Sequence, residues 1–124
     1  MTEKSAHVDR FAADNLPPPE QLPTLIFTRP DLNYSSHLNC VAELLDRAVA
    51  EGDGERTAIL ASHLEWSYAE LQSQANRVAQ VLAEDLGIVP GNRVLLRAAN
   101  TPMLAACWLG VVKAGAIAVG TMPL

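Results

Sequence analysis

Residues 93–119, RVLLRAANTPMLAACWLGVVKAGAIAV, contain a complete strand–helix–strand unit. Arg93-Val-Leu-Leu-Arg97 reads as a strand, and Thr101-Pro102 supplies an N-cap followed by a proline at the first helical position. The helix from Pro102 to Ala114 is apolar nearly all round, which predicts burial on most sides. Lys113 in its last turn suits the negative end of the helix dipole. Gly115 ends the helix, and Ala116-Ile-Ala-Val119 forms the next strand. Two strands joined through a helix run parallel, so this stretch sets the class as α/β.

Upstream, Val89-Pro-Gly-Asn-Arg93 places Pro90-Gly91 at the centre of a type II turn. Before that turn comes a helix with Leu71, Ala75, Val78, Ala79, Leu82 and Leu86 on one face, stopped by Gly87. Its start carries the S-x-x-E capping box, Ser67 with Glu70, and Trp66 and Leu71 stand at the positions of a hydrophobic staple. Thr57-Ala-Ile-Leu-Ala61 reads as another strand. Asn39 caps an earlier helix bearing Val41, Leu44, Leu45, Ala48 and Val49, ended by Gly52 and Gly54. The expected fold is therefore α/β, a partial and mostly parallel sheet with flanking helices over residues 38–124. Residues 1–37 are a different zone: four prolines between Leu16 and Pro23 prevent regular structure and favour an extended arm.

With 49% hydrophobic and 19% charged residues, the 124-residue chain has the composition of a globular domain. Its net charge is −5 and no Lys/Arg cluster interrupts it, which argues against nucleic acid and anionic membranes as partners. The first residues include acids and lack an apolar run, so no secretory signal is expected. From Met103 to Leu124 only Lys113 is charged, long enough for a bilayer span. However, a central lysine costs roughly 2.5–3.5 kcal/mol there, and Gly115 and Gly120 divide the segment. Cys40 and Cys107 lie far apart on apolar helical faces and match no metal-ligand spacing. They are expected to be reduced, buried thiols in a cytoplasmic protein.

No residue set makes a convincing active site. Gly110-Val-Val-Lys-Ala-Gly115 has P-loop glycine spacing, but Ala116-Ile117 replace the Lys-Ser/Thr, and the motif ends a helix where a phosphate needs a start. Gly52-Asp-Gly54 lacks a third glycine. His7, His37 and His63 are scattered over arm and loops, and Glu84-Asp85, Asp53 and Glu55 read as solvated charges. Trp66 and Trp108 read as core anchors. Catalytic, cofactor-binding and metal-ligating residues are therefore all assigned as none.

Two of these stretches nonetheless resemble a family. Ser67-Tyr68-Ala69-Glu70-Leu71 resembles the first core motif of the adenylate-forming enzymes: acyl- and aryl-CoA synthetases, peptide-synthetase adenylation domains and luciferases. The segment from Gly87 onward is similar to the family's next stretch of chain. It has the Pro-Gly-Asn-Arg-Val turn and strand, the Thr-Pro helix start, and the second core motif through Lys113-Ala114-Gly115 and Pro123. Gly120 departs from the proline common there. The likeness runs from about Leu38 to the last residue. The arm, "NLPPPEQLP" followed by "LNCVAELLDR", resembles the opening of benzoate- and 2-aminobenzoate-CoA ligases.

The resemblance implies an N-terminal fragment of an aryl-CoA ligase, cut within the large domain. In such an enzyme an aromatic carboxylate attacks the α-phosphorus of ATP with Mg²⁺, and coenzyme A then displaces AMP. The family's phosphate loop, adenine and ribose motifs and C-terminal lysine are not in this sequence. The chain alone is thus expected to be an inactive scaffold piece, self-associating through exposed apolar surface. The alternatives are a small non-catalytic α/β interaction module and a free-standing nucleotide-binding domain.

Overall fold

The computed structural model describes residues 5–121. The described part of the arm contains a four-residue helix, α1 (Phe11–Asp14), and two single 3₁₀ turns, Pro19–Gln21 and Pro30–Leu32. The proline-rich stretch holds no longer element, as locked φ angles and missing N–H donors dictate. A helical run occupies residues 40–53, with widened turns at Ala42–Asp46 and Val49–Asp53. The predicted glycine stop is there, since Gly52 takes φ +102°. Only part of the expected apolar stripe faces inward. Val41 and Leu45 are buried, whereas Leu44 is exposed.

The sheet divides where one mostly parallel sheet was expected. β1 (Thr57–Ala61) pairs antiparallel with β2 (Leu64–Ser67), a strand not anticipated from the sequence. The connecting Ser62-His63 lacks the Asn or Gly that usually advertises a two-residue hairpin. β3 (Arg93–Arg97) and β4 (Ile117–Thr121) form the expected parallel pair, with Arg93 opposite Ile117 and Arg97 opposite Thr121. The α/β class holds. β1 takes β2 as its partner because the hairpin closes locally, leaving the parallel pair separate.

Between the pairs run α2 (Tyr68–Gln80), prolonged by one wide turn at Val81–Asp85, and α3 (Pro102–Lys113). α2 packs along α3, and the core forms two clusters beside that contact. One gathers Val41, Leu45, Leu71, Ala75 and Ala106, with Ile59 and Trp66 against it. The other joins Leu82, Val111 and Ala116, covered by Val78, Val94 and Leu96. Burying a side chain such as Leu45 in this way contributes about 1.5–3 kcal/mol.

Three expectations need correction. Leu86, assigned to the buried face of α2's run, is 65% exposed because it lies beyond the last turn that meets α3. Trp108 is also exposed, because α3 buries only the stripe of Ala106, Gly110 and Val111 and no described layer covers its other side. Cys40 is an exposed thiol at the start of the 40–53 helix, where Val41 takes the inward position; Cys107 is half-buried.

Residues 8–11 of the arm dock. The Val8 and Asp9 amides donate to the Pro90 carbonyl at 2.9 and 3.0 Å. The Asp9 carboxylate accepts from the Phe11 amide, from Asn92 Nδ2 and from Arg93, whose guanidinium lies 4.8 Å from the Phe11 ring centroid. No helix among the described residues is long and apolar enough to cross a membrane, since α3 ends at Lys113 and the chain turns into β4. Pro123, part of the second motif, lies outside the described residues.

Candidate functional site

The two motif helices meet the 40–53 helix in one polar junction. Asn39 serves two helix ends together. Its Oδ1 accepts from the Val41 amide at 3.0 Å, and its Nδ2 donates to the Val112 and Lys113 carbonyls at 3.3 and 3.0 Å. The last carbonyls of α3 thus find a donor, as a helix end requires. Lys113 reaches from α3 to Asp46, its Nζ 2.6 and 2.8 Å from the two carboxylate oxygens, and Gln72 Nε2 donates to Asp46 from α2 at 2.9 Å. Burial pulls the Asp46 carboxyl upward, but the hydrogen bonds from Lys113 and Gln72 outweigh it and hold the group below the usual carboxylate value. Lys113 therefore answers a specific carboxylate as well as the dipole proposed for it. Nothing in the sequence pointed to Asp46, because the partners stand 67 residues apart.

The capping box closes as its spacing predicts. The Ser67 amide donates to Glu70 Oε2 at 2.8 Å, and the Glu70 amide donates to Ser67 Oγ at 3.2 Å. The Tyr68 and Ala69 amides are also engaged, by the Arg56 and Gly54 carbonyls. The donors at the start of α2 are thereby consumed, and no anion site is left there. At α3, Thr101 Oγ1 accepts from the Leu104 amide, and Pro102 has no N–H to offer. Gly110 packs against α2 and Gly115, at φ +78°, turns the chain beside Pro90. Among the described residues, Gly110 and Gly115 thus serve close packing and a turn.

A groove of about 680 Å³ opens between the arm, residues 36–40, Pro90 and the end of α3. His7, His37 and Cys40 are all among its lining residues, although the sequence scatters them. His63 sits apart, at the β1–β2 turn. Ser36 Oγ and His37 Nδ1 are 3.2 Å apart but exposed, and no group of three His, Cys, Asp or Glu among the described residues could hold a metal ion. Glu84 and Asp85 are exposed, and Asp53 pairs with Arg56 at 2.9 Å. The described chemistry is that of helix capping and helix tethering.

Residues 45–124 match the model of the family described as AMP-binding enzyme. The chain is 37% identical over 88 residues to the 3-hydroxybenzoate–CoA/4-hydroxybenzoate–CoA ligase of Thauera aromatica, covering 71% of this chain and 17% of the relative. It is 41% identical over 76 residues to a crotonobetaine/carnitine–CoA ligase of Salmonella paratyphi A, covering 57% of this chain and 14% of that one. Among solved structures, the anthranilate CoA ligase AuaEII in complex with anthranoyl-AMP superposes with a TM-score of 0.63 at 29% identity, over 71% of this chain and 16% of that one. A benzoate CoA ligase from Burkholderia xenovorans superposes with a TM-score of 0.61 at 30% identity, over 68% and 17%. The chain thus spans about a sixth of the relatives it matches.

Proposed function

We propose, from the premise that this chain belongs to the AMP-binding enzyme family, that it is the N-terminal scaffold of an aryl-CoA ligase of the benzoate or 2-aminobenzoate type. Such a ligase joins an aromatic carboxylate to coenzyme A while ATP, with Mg²⁺, is cleaved to AMP and pyrophosphate. On this reading residues 38–124 belong to the large synthetase domain and residues 1–37 are its arm. On the same reading, the chain's described residues supply no catalytic, nucleotide-binding or metal-ligating side chain. Its part is to hold α2, α3 and the 40–53 helix in one frame through Asn39, Asp46, Gln72 and Lys113. Free thiols at Cys40 and Cys107 support a cytoplasmic setting.

The carrying observation is that a sequence relative and a structural neighbour, each matched over 71% of this chain, are ligases of aromatic acids. The test is ATP–pyrophosphate exchange with benzoate, 2-aminobenzoate and crotonobetaine, run on this chain and on the product of its full reading frame. The expected result is exchange with an aromatic acid by the long product and none by this chain. Preference for crotonobetaine would remove the aryl assignment. A stop codon directly after Leu124 would remove the ligase reading, and micromolar binding of ATP·Mg²⁺ to this chain by calorimetry would contradict a pure scaffold role.

A further inference from the structure

We propose that residues 5–11 form a strap that opens and closes over the groove beside Pro90, with Arg93 as its catch. Ser5, Ala6 and His7 line that groove together with residues 36–40, Pro90 and the end of α3. Swinging the strap away therefore removes part of the lining and bares Ala114 and Gly115. The proposal does not depend on which reaction a longer polypeptide performs.

The arm leaves and rejoins the molecule at one platform. The Gly91 amide donates to the Gly115 carbonyl at 2.9 Å, and Gly115 packs on Pro90. On one side of this contact the Val8 and Asp9 amides reach the Pro90 carbonyl. On the other, Asn39 donates to the Val112 and Lys113 carbonyls. Residues 14–38 in between are exposed throughout. The two posts are unequal. Asn39 leads into a helix that buries Val41 and Leu45, whereas Val8 is 70% and Phe11 61% exposed, and α1 buries no residue. A segment held by directional polar bonds, with little apolar burial behind it, opens far more readily than the core.

Arg93 meets the strap twice. Its guanidinium donates to the Asp9 carboxylate and lies over the Phe11 ring, 4.8 Å from the centroid. Asn92 Nδ2 adds a bond to the same carboxylate at 2.9 Å. Gly91 lets the strap come this close, since any Cβ there would collide with the Asp9 carbonyl. Arg93 belongs to neither core cluster, so its side chain can be removed without opening the core.

The test uses the whole 124-residue chain and two readouts. Trypsin reads the strap through the Arg10–Phe11 bond, because Arg29, next along the arm, precedes Pro30 and resists the enzyme. Arg93→Ala leaves the cleaved sequence unchanged. It should speed cleavage after Arg10 by roughly fivefold or more, since cleavage of an opening segment follows the population of its open form. Maleimide labelling of Ala114→Cys, in a Cys40→Ser, Cys107→Ser background, reads the groove and should rise by a similar factor when Arg93→Ala is added. Glu84→Cys, exposed at the end of α2's run, is the control and labels alike with and without Arg93→Ala. Asp9→Asn and Phe11→Ala act from the strap side and should also speed labelling of Ala114→Cys. Combined with Arg93→Ala, each should add little, as for one shared contact. Unchanged cleavage and labelling in Arg93→Ala would overturn the proposal. Faster cleavage with unchanged Ala114→Cys labelling would overturn it as well, because the strap would then leave without opening the groove. If Arg93→Ala unfolds the chain, Phe11→Ala carries the labelling test alone, and an unchanged rate there overturns the proposal.

Discussion

A methyl group placed on Gly110 would stand 2.6 Å from Val78 Cβ and 2.9 Å from the Ala75 carbonyl oxygen, so α2 and α3 approach at a point where no side chain fits. Gly110→Ala must push the helices apart. A loss of about 1–3 kcal/mol is expected, measured by urea unfolding. Gly110 and Gly115, whose spacing matches that of a phosphate loop, have separate structural duties, close packing for one and a left-handed turn for the other. Lys113 carries a second residue-scale prediction. Lys113→Met removes the cation from Asp46 and leaves that carboxylate with Gln72 alone. The expected loss is about 1 kcal/mol, since both side chains keep some contact with water, and Asp46→Asn in the same background should recover part of it. The capping and turn chemistry of such positions was legible in the sequence because it acts within four residues. The Asp46 contact was not, because only packing brings it about.

Among the elements, α2 depends most on local signals. Its capping box and the inward positions Leu71, Ala75 and Leu82 are written in nearby residues, and the structure reproduces them. Ser67→Ala should cost about 1 kcal/mol, read from thermal melting, with little change in the fold. The arm behaves differently, because its order comes from contacts with a distant turn. Asp9 is held below its usual value of 3.8 by the Phe11 amide first, then by Asn92 and Arg93. A depressed folded-state value means that this stabilisation is fully present above about pH 4 and fades as pH falls through the lower, docked value. Amide protection of residues 5–14, measured relative to the unfolded chain at each pH, should therefore fall below about pH 4, before that of the 40–121 region. Asp9→Asn should show the released behaviour already at neutral pH. If the arm stays equally protected at low pH, the carboxylate is not its anchor. Gly91 makes the approach possible. Any Cβ there would fall 2.1 Å from the Asp9 carbonyl oxygen, and φ is +93°.

Across the whole molecule, the apolar side chains left outside are as informative as the core. Leu60, Leu95, Met103, Trp108 and Val119 are exposed on the hairpin, the parallel pair and α3. Taken alone, the chain is expected to bind an apolar dye and to associate with itself at high concentration, read by fluorescence and sedimentation. Leu95→Glu should weaken both, and a strictly monomeric, dye-silent chain would contradict the exposed-face reading. By itself, the sequence determined the α/β class, the parallel β3–β4 pair joined through α3, the caps, the glycine stops and the family motifs. All of these come from periodicity and short-range chemistry, which a linear chain displays directly. Only the tertiary structure decided that β1 turns back on β2, that Trp108 and Leu86 face outward, and that Asp9 and Asp46 hold the arm and the helix junction. Those outcomes depend on which surfaces meet. A residue's exposure is set by neighbours dozens of positions away, and no periodicity along the chain records them.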